Sequence, residues 1–233
     1  MKKEQFLREL EKLNIKITDD QLKMLGEYYS LVIEWNKKIN LTRIVEEEEF
    51  YLKHFYDSLT LHRVINLNEN LKICDVGTGA GFPGIVLKIV FPHLNIVLID
   101  SLNKRINFLK MVIEKLNLTN IEAIHFRMED YARKNKEEFD LIVSRAVSSM
   151  NIMSEISIPA LKINGHMILM KANCDEEIES SSQKLKLLRS KINKIDKFSL
   201  PLENSNRTII DVVKLESTPS KYPRSIDKIK KSL

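Results

Sequence analysis

Cysteine is nearly absent: Cys74 and Cys174 are the only two in 233 residues, and neither stands in a CxxC pair. That excludes a disulfide framework, offers no zinc-ligand spacing, and fits a chain that works in a reducing cytoplasm. Long apolar runs are missing as well. The stretch 85–91 is interrupted by Lys88 and is far short of the ~20 residues that span a bilayer. Met1-Lys2-Lys3-Glu4-Gln5 leads into a charged amphipathic segment without an apolar core of signal-peptide length. No internal repeat and no low-complexity linker is visible, and nothing points to a membrane, an obligate protein partner or an assembly larger than a monomer. Charge is nearly balanced: Lys and Arg number 37 against 32 Asp and Glu, a net +5. The sign suits a polyanionic partner, but its size is weak support.

What is present is an ordinary globular composition, 43% hydrophobic and 30% charged, in a chain long enough for one α/β domain with an extension. Residues 1–66 read as a helical cap. Phe6, Leu7, Leu10 and Leu13 recur at helical spacing. Thr18 followed by Gln21 forms a capping-box pattern ahead of an apolar face through Leu22, Leu25, Tyr28, Tyr29, Val32, Ile33 and Trp35. A third helix is expected over 47–61, with the run Glu46-Glu47-Glu48-Glu49 as its solvated start. From 67 to 216 β-rich runs (71–76, 96–99, 121–126, 141–143, 167–170, 209–213) alternate with helical ones (84–91, 104–116, 152–161, 176–190). Such alternation predicts a doubly wound, mostly parallel sheet. Two strands without a helix between them over 191–216 predict an antiparallel edge. Residues 217–233 form a basic tail.

The segment Cys74-Asp75-Val76-Gly77-Thr78-Gly79-Ala80-Gly81-Phe82-Pro83-Gly84 follows an apolar strand and opens a helix, the setting of a nucleotide-binding loop. Asp100 ends the next strand about 20 residues beyond Gly81, where an acid meets a ribose in such folds. A dinucleotide loop would place its third glycine at Phe82, and Pro83 removes an amide donor that a pyrophosphate wants. S-adenosylmethionine carries no phosphate and suits the loop better, with Asp75 able to pair with its amino group. Gly77, Thr78, Gly79 and Gly81 are the loop contacts, with Ser101 beside Asp100. After the third strand, Met128 and Glu129 fit the adenine side, an apolar side chain for the ring and an acid for its amine. A plain helix start is the other reading of Glu129.

The fourth strand, ending Ser144-Arg145-Ala146-Val147, lacks the Asn/Asp-Pro-Pro-aromatic segment of enzymes that methylate exocyclic amines. It also lacks the cysteine that attack on pyrimidine C5 requires. Guanine N7 needs neither, because it is unprotonated at neutral pH and loses no proton on methylation, so proximity and alignment suffice. Arg145 is the residue of interest at that edge. It would orient a guanine through O6, hold a phosphate or fix the ligand carboxylate, unless it tethers two loops. No metal site is expected.

Together with Trp35-Asn36-Lys37-Lys38-Ile39-Asn40-Leu41-Thr42, His54-Phe55-Tyr56-Asp57-Ser58-Leu59 and Lys221-Tyr222-Pro223-Arg224, these segments closely resemble the bacterial glucose-inhibited division protein B family, the 16S ribosomal RNA guanine-N7 methyltransferases. The resemblance runs over roughly 28–224. It implies a Rossmann-like class I methyltransferase fold and transfer to N7 of one guanosine in the decoding-region loop of small-subunit rRNA. It also implies cofactor contacts at Gly77, Phe82, Met128, Glu129 and Arg145. Two departures stand out: Met128 where the family has Ala, and Ser225-Ile226-Asp227-Lys228 where the family tail continues with Gly and Pro. An RNA-facing rim is expected from Lys104, Arg145, Lys171, Lys221 and Arg224, with Arg43 on the cap and Arg105 beside Lys104. Trp35 reads as core. His54 and Asp57 share a helix face and either shape the substrate pocket or tie the cap down. A nicotinamide-dependent oxidoreductase and a noncatalytic ribosome-assembly factor are the competing readings.

Overall fold

The structure, a computed structural model, describes residues 1–231; the last two residues of the basic tail lie outside it. The cap opens with α1 (Lys3–Lys12) and α2 (Asp19–Asn36). Thr18 and Gln21 form the capping box ahead of α2: Thr18 N–H donates to Gln21 Oε1 at 2.9 Å and Gln21 N–H to Thr18 Oγ1 at 3.2 Å. The same Gln21 amide also donates to the carbonyls of Ile89 and Val90. One residue thus caps the start of α2 and satisfies the last carbonyls of a helix in the core.

The third helical segment departs from expectation. It runs from α3 (Glu47–Phe50) through a π-helical stretch Tyr51–Tyr56, then α4 (Asp57–Leu59) and a 3-10 turn Thr60–Arg63. Glu46, Glu47 and Glu48 are exposed as foreseen. The cause of the π stretch is burial on all sides. Tyr51, Leu52, His54, Phe55 and Tyr56 are all buried; Phe6 and Phe55 pack on the Tyr51 ring, and Phe55 also packs on Tyr28 and Phe50. Regular α periodicity would turn some of these rings to solvent, and an inserted π turn keeps them inside.

The core alternates β1 (Lys72–Val76), α5 (Gly84–Val90), β2 (Asn95–Asp100), α6 (Asn103–Lys115), β3 (Ile121–His125), α7 (Met128–Lys134), β4 (Phe139–Arg145), α8 (Met150–Ser157), β5 (Leu161–Lys171), α9 (Asp175–Leu187), β6 (Ser190–Ser199) and β7 (Asn206–Lys214). The tail adds α10 (Ile226–Lys230). The sheet order is β3-β2-β1-β4-β5-β7-β6. All pairs are parallel except β5 with β7 and β6 with β7. This is the doubly wound sheet with an antiparallel edge that the pattern predicted. Two elements differ. The helix expected to reach 161 ends at Ser157, and β5 starts at Leu161, six residues early. Its added residues Lys162, Ile163 and Asn164 are exposed and lie at a register shift against β4, so they carry no alternation to read. The short α7 lies where Glu129 was read as a possible helix start.

Alternate strand residues enter two cores. Ile73, Leu98, Leu141 and Ile168 join the cap residues Phe6, Leu25 and Tyr28 on one face. Cys74, Val97, Ile142 and Met167 join α8 and α9 residues on the other. The strand order reverses between β1 and β4, so the crevice beyond their C-terminal ends is the switch point where such sheets take ligands.

Candidate functional site: the glycine-loop cavity

At the end of β1 the chain turns into its loop by committing its own amides. Gly77 and Thr78 N–H donate to Ile99 O at 2.8 and 3.2 Å, and Gly81 and Phe82 N–H to Thr78 O at 2.9 and 3.1 Å. Asp75 Oδ2 accepts from Thr78 Oγ1 at 2.7 Å and from Gly84 N–H at 2.9 Å. Gly79 N–H donates to Asp100 Oδ2 at 3.0 Å. Gly77, Gly79 and Gly81 all have positive φ, and a Cβ on Gly77 would lie 2.6 Å from Val147 Cγ2. Glycine is therefore required by both backbone and space at Gly77. Gly81 faces inward, where a Cβ would strike Ile85, Tyr28 and Leu109.

Two hollows meet at this loop. The larger, about 360 Å³, takes in Gly77, Thr78, Gly79, Phe82, Asp100, Ser101 and Arg145. The smaller, about 140 Å³, takes in Met128 and Glu129 with Phe126 and Ile156. Gly77, Asp100, Ser101 and Val147 line both, so they adjoin. The larger is of ordinary ligand-site size. Most of the expected cofactor residues are thus brought together, at the ends of β1, β2, β3 and β4. Asp75 and Gly81 line neither hollow. Asp75 is completely buried beneath the loop, and burial raises its carboxyl pKa to about 6 against the hydrogen bonds from Thr78 and Gly84. Through Oδ2 it organises the loop, while its Oδ1 is buried without a hydrogen-bond partner.

Arg145 is tethered to the cap and also lines the larger hollow. Its Nη1 donates to Lys53 O at 3.0 Å and approaches Asp57 Oδ2 at 3.4 Å, and its Nη2 lies 3.0 Å from His54 Nδ1. Asp57 Oδ1 also accepts from Arg207 Nε at 2.9 Å, and His54 Nε2 meets Thr42 Oγ1 at 2.8 Å. The His54 ring stacks on Phe82 at 4.3 Å and 4°, with the Arg145 guanidinium 5.1 Å from the same ring. His54 and Asp57 therefore tie the cap down, and His54 also lines the larger hollow. Arg207 was not anticipated. It lies 150 residues from Asp57 and nothing in its neighbours marks it.

The basic rim is only partly as expected. Arg43 and Lys221 are exposed, as is Lys104. Arg105 donates to Asp100 Oδ2 at 3.2 Å. Lys171 donates to Ser148 O at 2.8 Å and to Glu177 at 3.0 Å. Arg224 forks onto the buried Glu155 at 2.6 and 2.7 Å. Lys171 and Arg224 are therefore braced by carboxylates within the protein, partners that sequence spacing does not reveal. Trp35 packs on Phe108 at 5.6 Å, consistent with a core role. Among the described residues there is no cluster of metal-binding side chains, and no helix is long and apolar enough to cross a membrane.

The family description "rRNA small subunit methyltransferase G" matches residues 21–209. The chain belongs to this family. A relative of that name from Geobacillus sp. (strain WCH70) is 44% identical over 223 residues, covering 94% of each chain. Another from Listeria monocytogenes serovar 1/2a is 41% identical over 227 residues, covering 96% of this chain and 95% of the relative. Among solved structures, a SAM-dependent methyltransferase from Aquifex aeolicus aligns with a TM-score of 0.54 at 17% identity, over 78% of this chain and 98% of that one. The fold is thus the Rossmann-like fold of S-adenosylmethionine-dependent methyltransferases, and the family is one of methyltransferases.

Proposed function

We propose that this chain transfers a methyl group from S-adenosylmethionine to N7 of a guanosine in the decoding-region loop of 16S rRNA. The relatives' name supports an rRNA substrate, and two features of the site support the chemistry. The loop amides of Gly77, Thr78, Gly79, Gly81, Phe82 and Gly84 are all engaged within the protein. A phosphate would find no cradle there, which favours a ligand without one over a dinucleotide. In the adjoining hollows, Asp100 and Ser101 would hold the ribose, and Met128 and Glu129 the adenine. Bound there, the cofactor supplies an electrophilic methyl group.

The observation that carries the acceptor assignment is that, among the described residues, the histidine and carboxylate at the β4 edge are both engaged. Arg145 can only donate, so His54 Nδ1 accepts and its proton sits on Nε2, towards Thr42. Burial, with Arg145 and Lys53 nearby, pushes the His54 pKa down to about 2. Both ring nitrogens are thus engaged, as are both oxygens of Asp57. Burial raises the Cys74 thiol well above its usual range, which leaves it inert. At this edge an acceptor that must lose a proton would meet no unengaged histidine or carboxylate among those named, whereas guanine N7 has no proton to lose. Arg145 retains N–H groups beyond these bonds and lines the hollow, where it would meet guanine O6 while leaving N7 open.

The test incubates unmethylated small-subunit rRNA, free or in 30S particles, with the protein and methyl-labelled S-adenosylmethionine, followed by borohydride–aniline cleavage. One new break in the decoding-region loop is expected. Label without cleavage would move the acceptor off N7, and no label would remove the RNA substrate.

A further inference from the structure

Beyond Ser101 and Arg105 the cofactor cavity gives way to a third hollow, about 560 Å³, between the cap and the start of α6. Ser101 and Arg105 line both, so the two are continuous along one wall. Its apolar surface comes from Ile39 and from Leu102, which is 52% exposed. Leu102 is not a frayed side chain: its N–H donates to Asp100 Oδ1 at 2.9 Å, which pins the backbone that presents it. Lys38 lines it from the cap and Lys104 from α6. Both are exposed. Lys38 leans on the Trp35 ring at 5.3 Å and pairs with the exposed Glu34 at 3.8 Å, whereas Lys104 has no ion pair among the described residues. No acidic side chain lines the hollow.

We propose that this hollow seats one unpaired nucleotide next to the methylated guanosine, its base against Leu102 and Ile39 and its phosphate between Lys38 and Lys104. The proposal rests on the RNA reading above. An apolar floor between cations, with amides of Asn40 and Asn103 at the edge, matches a base and its phosphate. Three cations line the hollow against the two carboxylates that pair with them from outside it, Glu34 and Asp100, so its rim keeps a net positive charge that suits a phosphate. Continuity with the cofactor cavity makes the occupant a neighbour of the target in the same strand. Holding that neighbour would pull the target out of its stack and set its position along the cavity.

The test measures binding of unmethylated small-subunit rRNA across a salt series, with the protein saturated with S-adenosylhomocysteine. Leu102→Ala is expected to weaken binding about fivefold with the salt slope unchanged, the low end of a lost base contact. The double substitution Lys38→Ala and Lys104→Ala is expected to lower the slope by about 0.7, the counterion release of one phosphate on a single strand. S-adenosylhomocysteine affinity and the melting curve, measured in parallel, should match wild type and exclude misfolding. Wild-type binding by Leu102→Ala would overturn the base seat, and an unchanged slope in the double variant would overturn the phosphate seat. If the wild-type protein methylates rRNA while the variants bind normally, the subsite alone fails. If it neither binds nor methylates rRNA, the RNA reading itself fails.

Discussion

Two buried titratable groups at the site, His54 and Asp75, are shifted in opposite senses as far as stability is concerned. His54 has its pKa lowered to about 2, so between that value and its unfolded 6.5 the unfolded chain binds the extra proton. Stability from His54 therefore falls as pH falls below 6.5. Asp75 has its pKa raised from 3.8 to about 6, so in that window the folded chain binds the extra proton. Stability from Asp75 rises as pH falls through 6. Between pH 6 and 4 the two slopes oppose and cancel in the wild-type protein. Asp75→Asn should expose the His54 slope, a loss of about 1.4 kcal/mol per pH unit on acidification. His54→Gln should expose the reverse. Urea unfolding at pH 4, 5 and 6 reads this, and three parallel profiles would show that neither group is shifted. At this scale the sequence marked Asp75 and His54 as important. It could not separate a ligand contact from a buried support, because the difference is whether an atom reaches the cavity.

The tail and α8 show how far an element's role depends on what lies opposite it. Glu155, completely buried on α8, takes Arg224 from the tail and Lys184 from α9 at 2.8 Å. Burial opposes its ionisation, but the hydrogen bonds from Arg224 and Lys184 hold its carboxyl at about 2. Arg224→Ala leaves Lys184 as the remaining charged partner. Because Arg224 is itself partly exposed, the loss is expected at about 2 kcal/mol, below the 3–5 of a fully buried pair. Urea unfolding would show it, and the salt slope of RNA binding should stay unchanged. A lowered slope with unaltered stability would return Arg224 to the RNA rim. The Tyr-Pro-Arg segment was legible as a motif, whereas its partner lies 69 residues away on another helix.

For the whole molecule, the cap and the sheet share one continuous apolar core. They are further joined by Tyr28 Oη donating to Ala80 O and by Arg63 pairing with Asp196 at 2.6 Å. Cap and sheet should therefore unfold together. Trp35, the only tryptophan, lies on α2 against Phe108 of α6 and reports on that junction. Its fluorescence and the far-UV circular dichroism are expected to give one coincident urea transition. An earlier fluorescence midpoint would mean that the cap detaches first.

The sequence by itself determined the parallel sheet, its antiparallel edge, the capped α2, the glycine loop and the acid at the end of β2. Each rests on a local rule: strand and helix periods, capping geometry, or the need for glycine at positive φ. Tertiary structure alone decided which charges face solvent, why a π turn interrupts the third helix, and that Arg145 is held by His54 and Asp57. Those outcomes depend on contacts between residues far apart in the chain. Burial and pairing across such distances leave no periodic trace for a single sequence to display.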